Sequence, residues 1–235
     1  MSERLLIVGA GSGLSASLAR LAAKAGMQVA LAARSPEKLA GLTQEIAAKS
    51  YGCDATDEGQ VRALFDAVES DLGGTPDWVV YNASARARGP FAELDRGEVR
   101  TAIEVSAWAA FLVAREAVPR MLARPGGASG SLFFTGASAA VKGYKQSASF
   151  AMGKFAQRGL AQSLARELSP QNIHVAHFVI DGGIANVEKG RPADTAKPDS
   201  LLDPDAIAQS YFDTHRQHRS AWAWELELRP WVETF

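Results

Sequence analysis

Short apolar runs alternate with stretches of helical spacing along nearly the whole chain. Leu5-Leu6-Ile7-Val8 is a continuous apolar run and predicts a strand buried on both faces. From Leu14 the apolar residues at 14, 18, 21 and 25 fall on one helix face, and the run from Met27 to Ala33 predicts a second strand. A helix is expected over Pro36 to Ala48, opened by a Ser35 cap and a first-turn proline. Tyr51–Asp54 reads as a short strand end, and a helix capped by Asp57 runs to Asp71. Trp78–Tyr81 is the fourth strand, and a long helix spans about Glu98 to Ala123 with Pro119 bending its last turn. Ser131–Thr135 and Ile173–Ile180 are strands on either side of a helix from Ser149 to Leu168, marked by Leu160, Leu164 and Leu168. Strands alternating with helices predict a single doubly wound α/β domain, its parallel sheet of about seven strands covered on both faces.

The tail differs in texture. Gly190 to Ser200 has no period and reads as a loop. Asp203-Pro204 supplies a cap and a first-turn proline for a helix to about His218, and Trp222 to Arg229 alternates as an edge strand. Segment 182–202 follows the sixth strand at the carboxyl ends of the sheet, where ligands bind in such folds, so it is the expected lid.

The chemistry begins between the first strand and the first helix. Gly9-Ala10-Gly11-Ser12-Gly13 sits there, where the chain must turn sharply and come close to a neighbour. Strand, glycine loop, helix and strand in that order aim a helix N-terminus at a pyrophosphate, which gives the domain a Rossmann-type reading. The plainer alternative is a tight turn without a ligand. At the end of the second strand an acid would receive a bare ribose hydroxyl; here Arg34 and Ser35 stand instead. A guanidinium grips a 2'-phosphate that an acid would repel, so NADP(H) is expected in preference to NAD(H).

Composition narrows the rest. The 235 residues are 47% hydrophobic, enough for a substantial core, and the formal net charge of -1 gives no general attraction to nucleic acid or anionic membrane. No apolar stretch reaches the length of a membrane span, and no targeting segment is visible. The lone Cys53 reads as core packing, and its lack of a disulfide partner suits the cytoplasm.

On these residues the chain resembles the short-chain dehydrogenase/reductase family over nearly its whole length. Gly9-x-x-x-Gly13-Leu14 is similar to the family's glycine motif, with Ser15 where a third glycine is usual. The resemblance implies a cofactor site built from Gly9, Gly11, Ser12, Gly13 and Leu14, with Arg34 and Ser35 at the 2'-phosphate and Asp54 at the adenine amine. Asn82-Ala83-Ser84 resembles the segment beside the cofactor, and Ile184 would offer backbone to the carboxamide, with Asn186 where threonine is usual.

The catalytic half departs from the pattern. The family's Tyr-x-x-x-Lys aligns with Phe150-Ala-Met-Gly-Lys154, so the lysine is present and the tyrosine is not. The asparagine position falls on Ser106; Ser138 best matches the catalytic serine, with Thr135 second. The resemblance implies that Lys154 binds the nicotinamide ribose and Ser138 the substrate oxygen. Losing a tyrosine acid costs about 10²–10⁴-fold in rate. Tyr144 and Asp181 are the groups that could relay a proton with Lys154 as ultimate donor; their plainer roles are loop packing and a turn cap.

Other features read more blandly. Arg86 and Arg88 would be solvated unless they meet an acidic substrate or a cofactor phosphate. His215-x-x-His218 reads as a solvated helix end, with no metal site expected. Glu225 and Glu227 share a strand face, which favours solvent. Trp222, Trp224 and Trp231 would pack under the lid or in a subunit contact. Surplus apolar surface at Trp108, Phe111 and Leu112 and along the helix from Phe150 predicts a homodimer or homotetramer, since the family pairs these helices. The expected activity is NADP(H)-dependent oxidoreduction of a small carbonyl or alcohol, with a non-catalytic NADP(H)-binding sensor or scaffold as the alternative.

Overall fold

The structure is a computed structural model and describes residues 2–233. Its sheet is parallel throughout, in the order β3-β2-β1-β4-β5-β6-β7. The strands are β1 (Arg4–Val8), β2 (Gln28–Ala33), β3 (Lys49–Gly52), β4 (Trp78–Tyr81), β5 (Gly130–Thr135), β6 (Ile173–Ile180) and β7 (Glu225–Leu228). Alternate residues of each central strand serve opposite layers, as strand geometry requires. Leu5, Ile7, Trp78 and Val80 pack beneath α1 (Leu14–Lys24) and α7 (Pro204–His215). Leu6, Val8, Val79 and Tyr81 face α3 (Glu58–Leu72), α5 (Ala109–Leu122) and α6 (Ala148–Leu168). The central strands therefore have apolar residues on both faces, and strand order reverses between β1 and β4.

Several element boundaries differ from the sequence reading. The stretch 36–48 divides into a 3-10 turn, Pro36–Leu39, and a short α2 (Ala40–Ile46) that buries no residue. Left-handed Ala47 ends it, and β3 starts early because its pairing with β2 begins at Ala30 and Lys49. The long helix starts at α4 (Arg96–Ile103), capped by Asp95, and passes through one π turn at Glu104–Trp108 before α5. That π turn re-aims a carbonyl, since Ala109 N–H reaches back to Glu104 and Tyr81 OH donates to Val105 C=O.

The C-terminal region is less solvated than expected. α7 ends at His215, whose ring stacks on Trp78 at 4.5 Å and whose Nδ1 lies 2.9 Å from Ser131 Oγ; this corrects the solvated reading of that residue. His218 instead caps the following turn. Trp222 leaves the strand to stack on His174, Trp224 lies beneath Arg158, and Trp231 alone of the three reaches segment 182–202, bonding Asp199. Glu225 is also corrected: it holds Arg158 with two bonds of 2.6 and 2.7 Å and accepts from His177 Nδ1 at 2.9 Å. Burial opposes its charge, but Arg158 and His177 more than offset this and lower its pKa. Glu227 is exposed and pairs with Arg229. Cys53 is buried, which pushes its thiol up to about 11, with Asp54 and Asp57 adding to the shift. Among the described residues no cluster fit for a metal ion occurs, and no helix is long and apolar enough to cross a membrane.

Two of the three histidines packed inside the domain, His177 and His215, give a pH signature, and burial lowers His174 as well. Burial pushes His177 down to about 4 despite Glu225, and pushes His215 down to about 4 with Arg216 adding to the shift. Between that value and the ordinary one near 6.5 the unfolded chain binds more protons. The stability these two contribute is therefore full above about pH 6.5 and falls as pH drops toward 4, by about 3 kcal/mol per histidine. Urea unfolding across this window should lose part of its pH slope in His215→Phe; equal slopes would contradict the assignment.

Candidate active site

The loops at the carboxyl ends of β1, β4, β5 and β6 converge on one edge of the sheet, beside the reversal of strand order. Gly9 turns with φ +86, and a Cβ there would lie 2.4 Å from Ala83 N, so the loop after β1 and the segment after β4 demand a glycine. A Cβ on Gly11 would meet no atom within 4 Å, so the middle of the loop faces open space. Gly13 is the N-cap of α1; no side chain caps the helix and no acid stands in its first turn. Its positive dipole end therefore faces no protein anion in that turn, Asn186 Nδ2 lies close to Gly13, and Gly9, Gly11, Ser12, Gly13 and Leu14 form the turn that a dinucleotide pyrophosphate would occupy.

Ser15, the departure from the glycine motif, has a structural use. Its buried hydroxyl accepts from Asn82 Nδ2 at 2.7 Å and donates to Gly9 C=O at 3.4 Å, linking the two loops. A small polar residue in the first turn of α1 was the available signal for this bridge. At the end of β2, Arg34 is exposed and Ser35 begins the 3-10 turn without using its hydroxyl as a cap. Asp54 has one carboxylate oxygen held by Thr56 N–H and Oγ at 3.0 and 2.7 Å. Those bonds lower its pKa against the effect of burial, and Arg34 adds to the lowering.

α6 carries the buried ammonium. Ser149, Phe150, Gly153, Lys154 and Gln157 lie on its buried side, at helical spacing. A Cβ on Gly153 would lie 2.7 Å from Ser106 Cβ, so this glycine admits the π turn against α6. Lys154 is 2% exposed, and its Nζ donates to Thr135 C=O at 2.6 Å and to Gln157 Oε1 at 3.0 Å. Burial, with the charge of Arg86 adding, pushes it down to about 7. An amine so shifted exchanges its proton near neutrality, which an ordinary lysine does not.

Phe150 is buried beside it, its ring centroid 6.0 Å from Lys154 Nζ. Over that ring lies Arg86, Cζ 4.4 Å from the centroid, with its side chain otherwise exposed. Two serines pin the loop that carries it: Ser106, read from the sequence only as the asparagine position, and Ser149, which the sequence reading did not single out. Ser149 Oγ accepts from Ala87 N–H at 3.0 Å and donates to Ala87 C=O at 2.7 Å, and Ser106 Oγ reaches Ala85 C=O at 3.5 Å. Neither contact had a signal beyond a serine on an apolar helix face.

The remaining candidates divide. Ser138 opens a 3-10 turn packed on α6, and its hydroxyl has no hydrogen-bond partner among the described residues. Tyr144 is exposed with its ring beside Lys142 Nζ, at 5.8 Å, and Asp181 pairs with Lys142 and Arg229 at 3.1 and 3.4 Å. No bond links either to Lys154 among the described residues. Segment 182–202 is more ordered than a plain loop: Ile184 bridges Leu202, Asn186 bridges Arg191, and Asn186 caps the turn Val187–Lys189. Asn186 Nδ2 also donates to Ser12 Oγ at 3.4 Å, fastening the segment to the glycine loop.

Comparison with known proteins agrees with this geometry. The short chain dehydrogenase family profile matches residues 3–189. The chain is 33% identical over 221 residues to trans-4-hydroxycyclohexanecarboxylate dehydrogenase of Sinomonas cyclohexanicum, covering 84% of this chain and 83% of that protein. A short-chain dehydrogenase structure from Rhodopseudomonas palustris matches with TM-score 0.83 and 34% identity, over 97% of this chain and 99% of the other. A metagenomic short-chain oxidoreductase in complex with NADP matches with TM-score 0.81 and 25% identity over 99% of both chains. With its doubly wound parallel sheet, its glycine loop and these matches, the chain belongs to the short-chain dehydrogenase family of oxidoreductases.

Proposed function

We propose that this chain is an NADP(H)-dependent oxidoreductase that interconverts a small carbonyl and its alcohol, with Phe150 in the place of the usual tyrosine acid. The observation that carries the reading is the buried, near-neutral Lys154 on α6 in the same domain as the α1 N-terminus and its glycine cradle. Gly9, Gly11, Ser12, Gly13 and Leu14 would hold the pyrophosphate, Asp54 the adenine, Asn82 and Ala83 the loop wall, and Ile184 the carboxamide. The cofactor supplies a hydride when bound. Ser138 offers its free hydroxyl to the substrate oxygen, and Lys154 holds the proton that the oxygen needs, directly or through water or Tyr144. Segment 182–202 serves as the lid.

Arg34 argues for NADP(H), being exposed at the end of β2 with no ion-pair partner among the described residues. Charge-assisted bonds to a phosphate are worth about 1.5–3 kcal/mol, or about 10- to 150-fold in affinity. Arg34→Ala should raise the Kd for NADPH by that factor and change NADH binding less than about twofold; tight NADPH binding by the variant would remove Arg34 from the site. The enzyme reading itself is tested by NADPH oxidation against a carbonyl panel, where no turnover with any carbonyl would favour a binding role.

The exposed Trp108 and Phe111, stacked at 5.2 Å, and the exposed Met152 and Phe155 form the face for a second copy of the chain. Leu112 is buried and takes no part in that face. Light scattering at micromolar concentration should give at least a dimer, and a monomer would contradict this pairing.

A further inference from the structure

We propose that Arg86, with Arg88 and Arg191 beside it, recognises a carboxylate or phosphate group on the substrate, so that the carbonyl or alcohol acted on is a small anion. This rests on the oxidoreductase reading above and adds its substrate class. Arg86 lies over the Phe150 ring, 4.4 Å from centroid to Cζ. Its guanidinium N–H groups make no hydrogen bond to any described residue, which leaves them free to meet an anion.

The loop beneath is fixed on both sides of Arg86. Ser149 holds Ala87 through two hydrogen bonds, and Ser106 reaches Ala85. The guanidinium is therefore placed before a ligand arrives, which reduces what binding costs in ordering. Arg191 lies on the segment whose Asn186 is bonded to Ser12.

No carboxylate pairs with Arg86, Arg88 or Arg191 among the described residues, although most other arginines of this chain have one. Partial burial, then the charges of Arg88 and Arg191, lower the pKa of Arg86, so two further cations act on it. All three side chains are exposed, so water screens part of that repulsion and their donors stand open to an anion, which would supply the missing partner. Its position over Phe150, with Lys154 Nζ 6.0 Å from the same ring, sets that anion a short molecule's length from the proton source.

The test uses NADPH-saturated protein titrated with benzoate, phenyl phosphate and neutral benzamide at constant ionic strength, read by thermal shift and NADPH fluorescence. Benzoate or phenyl phosphate should bind saturably and benzamide should not; the tighter of the two identifies the carboxylate or the phosphate source. Arg86→Ala and Arg86→Gln should weaken the anion about 10- to 100-fold while leaving the Kd for NADPH unchanged. With a turned-over keto acid and its methyl ester, Arg86→Gln should raise KM for the acid alone. Equal anion binding in the variants overturns the proposal. So does a loss of NADPH affinity in them, which would assign the arginines to the cofactor. If the protein binds no NADPH, the oxidoreductase reading fails, and the same titration of the free protein still decides whether Arg86 holds an anion.

Discussion

Lys154→Met should lower kcat for carbonyl reduction by about 10²–10⁴-fold, the contribution of a positioned acid. The loss should exceed what any other side chain on the helix face produces, because the proposed function makes Lys154 the proton carrier. It is 2% exposed and has two acceptors, Thr135 C=O and Gln157 Oε1. Methionine keeps the length and the burial and removes the proton. Lys154→Arg is the informative companion, since it keeps the charge but does not titrate near neutrality. If Lys154 only orders the fold, Arg should restore activity; if it delivers the proton, Arg should remain slow.

The pH dependence separates these roles further. With Lys154 pushed down to about 7, the protonated form that reduction needs is lost as pH rises through that value. Reduction should fall above about pH 7 and alcohol oxidation should rise. The same shift acts on stability. Between about pH 7 and the ordinary lysine value near 10.5, the unfolded chain holds a proton that the folded chain has released, so stability rises with pH by about 1.4 kcal/mol per unit. Urea unfolding of wild type across pH 7 to 9 should carry this slope and Lys154→Met should not. Parallel curves would mean that Lys154 keeps its proton throughout.

The reach of sequence reasoning followed the strength of each local signal. Strands in the sheet centre were legible because burial on both faces selects apolar residues: β4 is apolar throughout, β1 is apolar after Arg4, and only His174 and His177 interrupt β6. β3 was misplaced because it is an edge strand, with its residues largely exposed and its start set by pairing to β2. The π turn at Glu104–Trp108 was invisible, since apolar spacing changes little when one residue is added and the cause lies in Tyr81 and Gly153 on other elements. The glycine cradle was legible because positive φ and close approach restrict residue choice. The contacts of Arg86 and the pairing of Glu225 were not, because a charged residue's partner is fixed by tertiary placement. Arg158, on α6, is 67 positions from the Glu225 it holds. The histidine at the end of α7 had the same problem: its stacking partner Trp78 lies on a strand far away in sequence.

Phe150→Tyr should raise kcat for reduction by up to about 10²–10⁴-fold, the range a tyrosine acid supplies. The scaffold around the position is intact. The ring is buried on α6, Lys154 Nζ lies 6.0 Å from its centroid, and Arg86 covers its face. Two cations so near would favour the phenolate and bring a tyrosine at this position down toward neutral pH. The gain should therefore appear in kcat with little change in the Kd for NADPH, because the phenyl ring itself is retained. The size of the gain measures what wild type already has. A modest gain over a steadily turning wild type would show that Lys154 delivers the proton in the natural chain. Activity confined to Phe150→Tyr would show a binding site in which the missing hydroxyl alone separates the chain from a working enzyme. No activity in either protein, with NADPH bound, would place the defect in the substrate contacts, where Ser138 and Arg86 would be changed next.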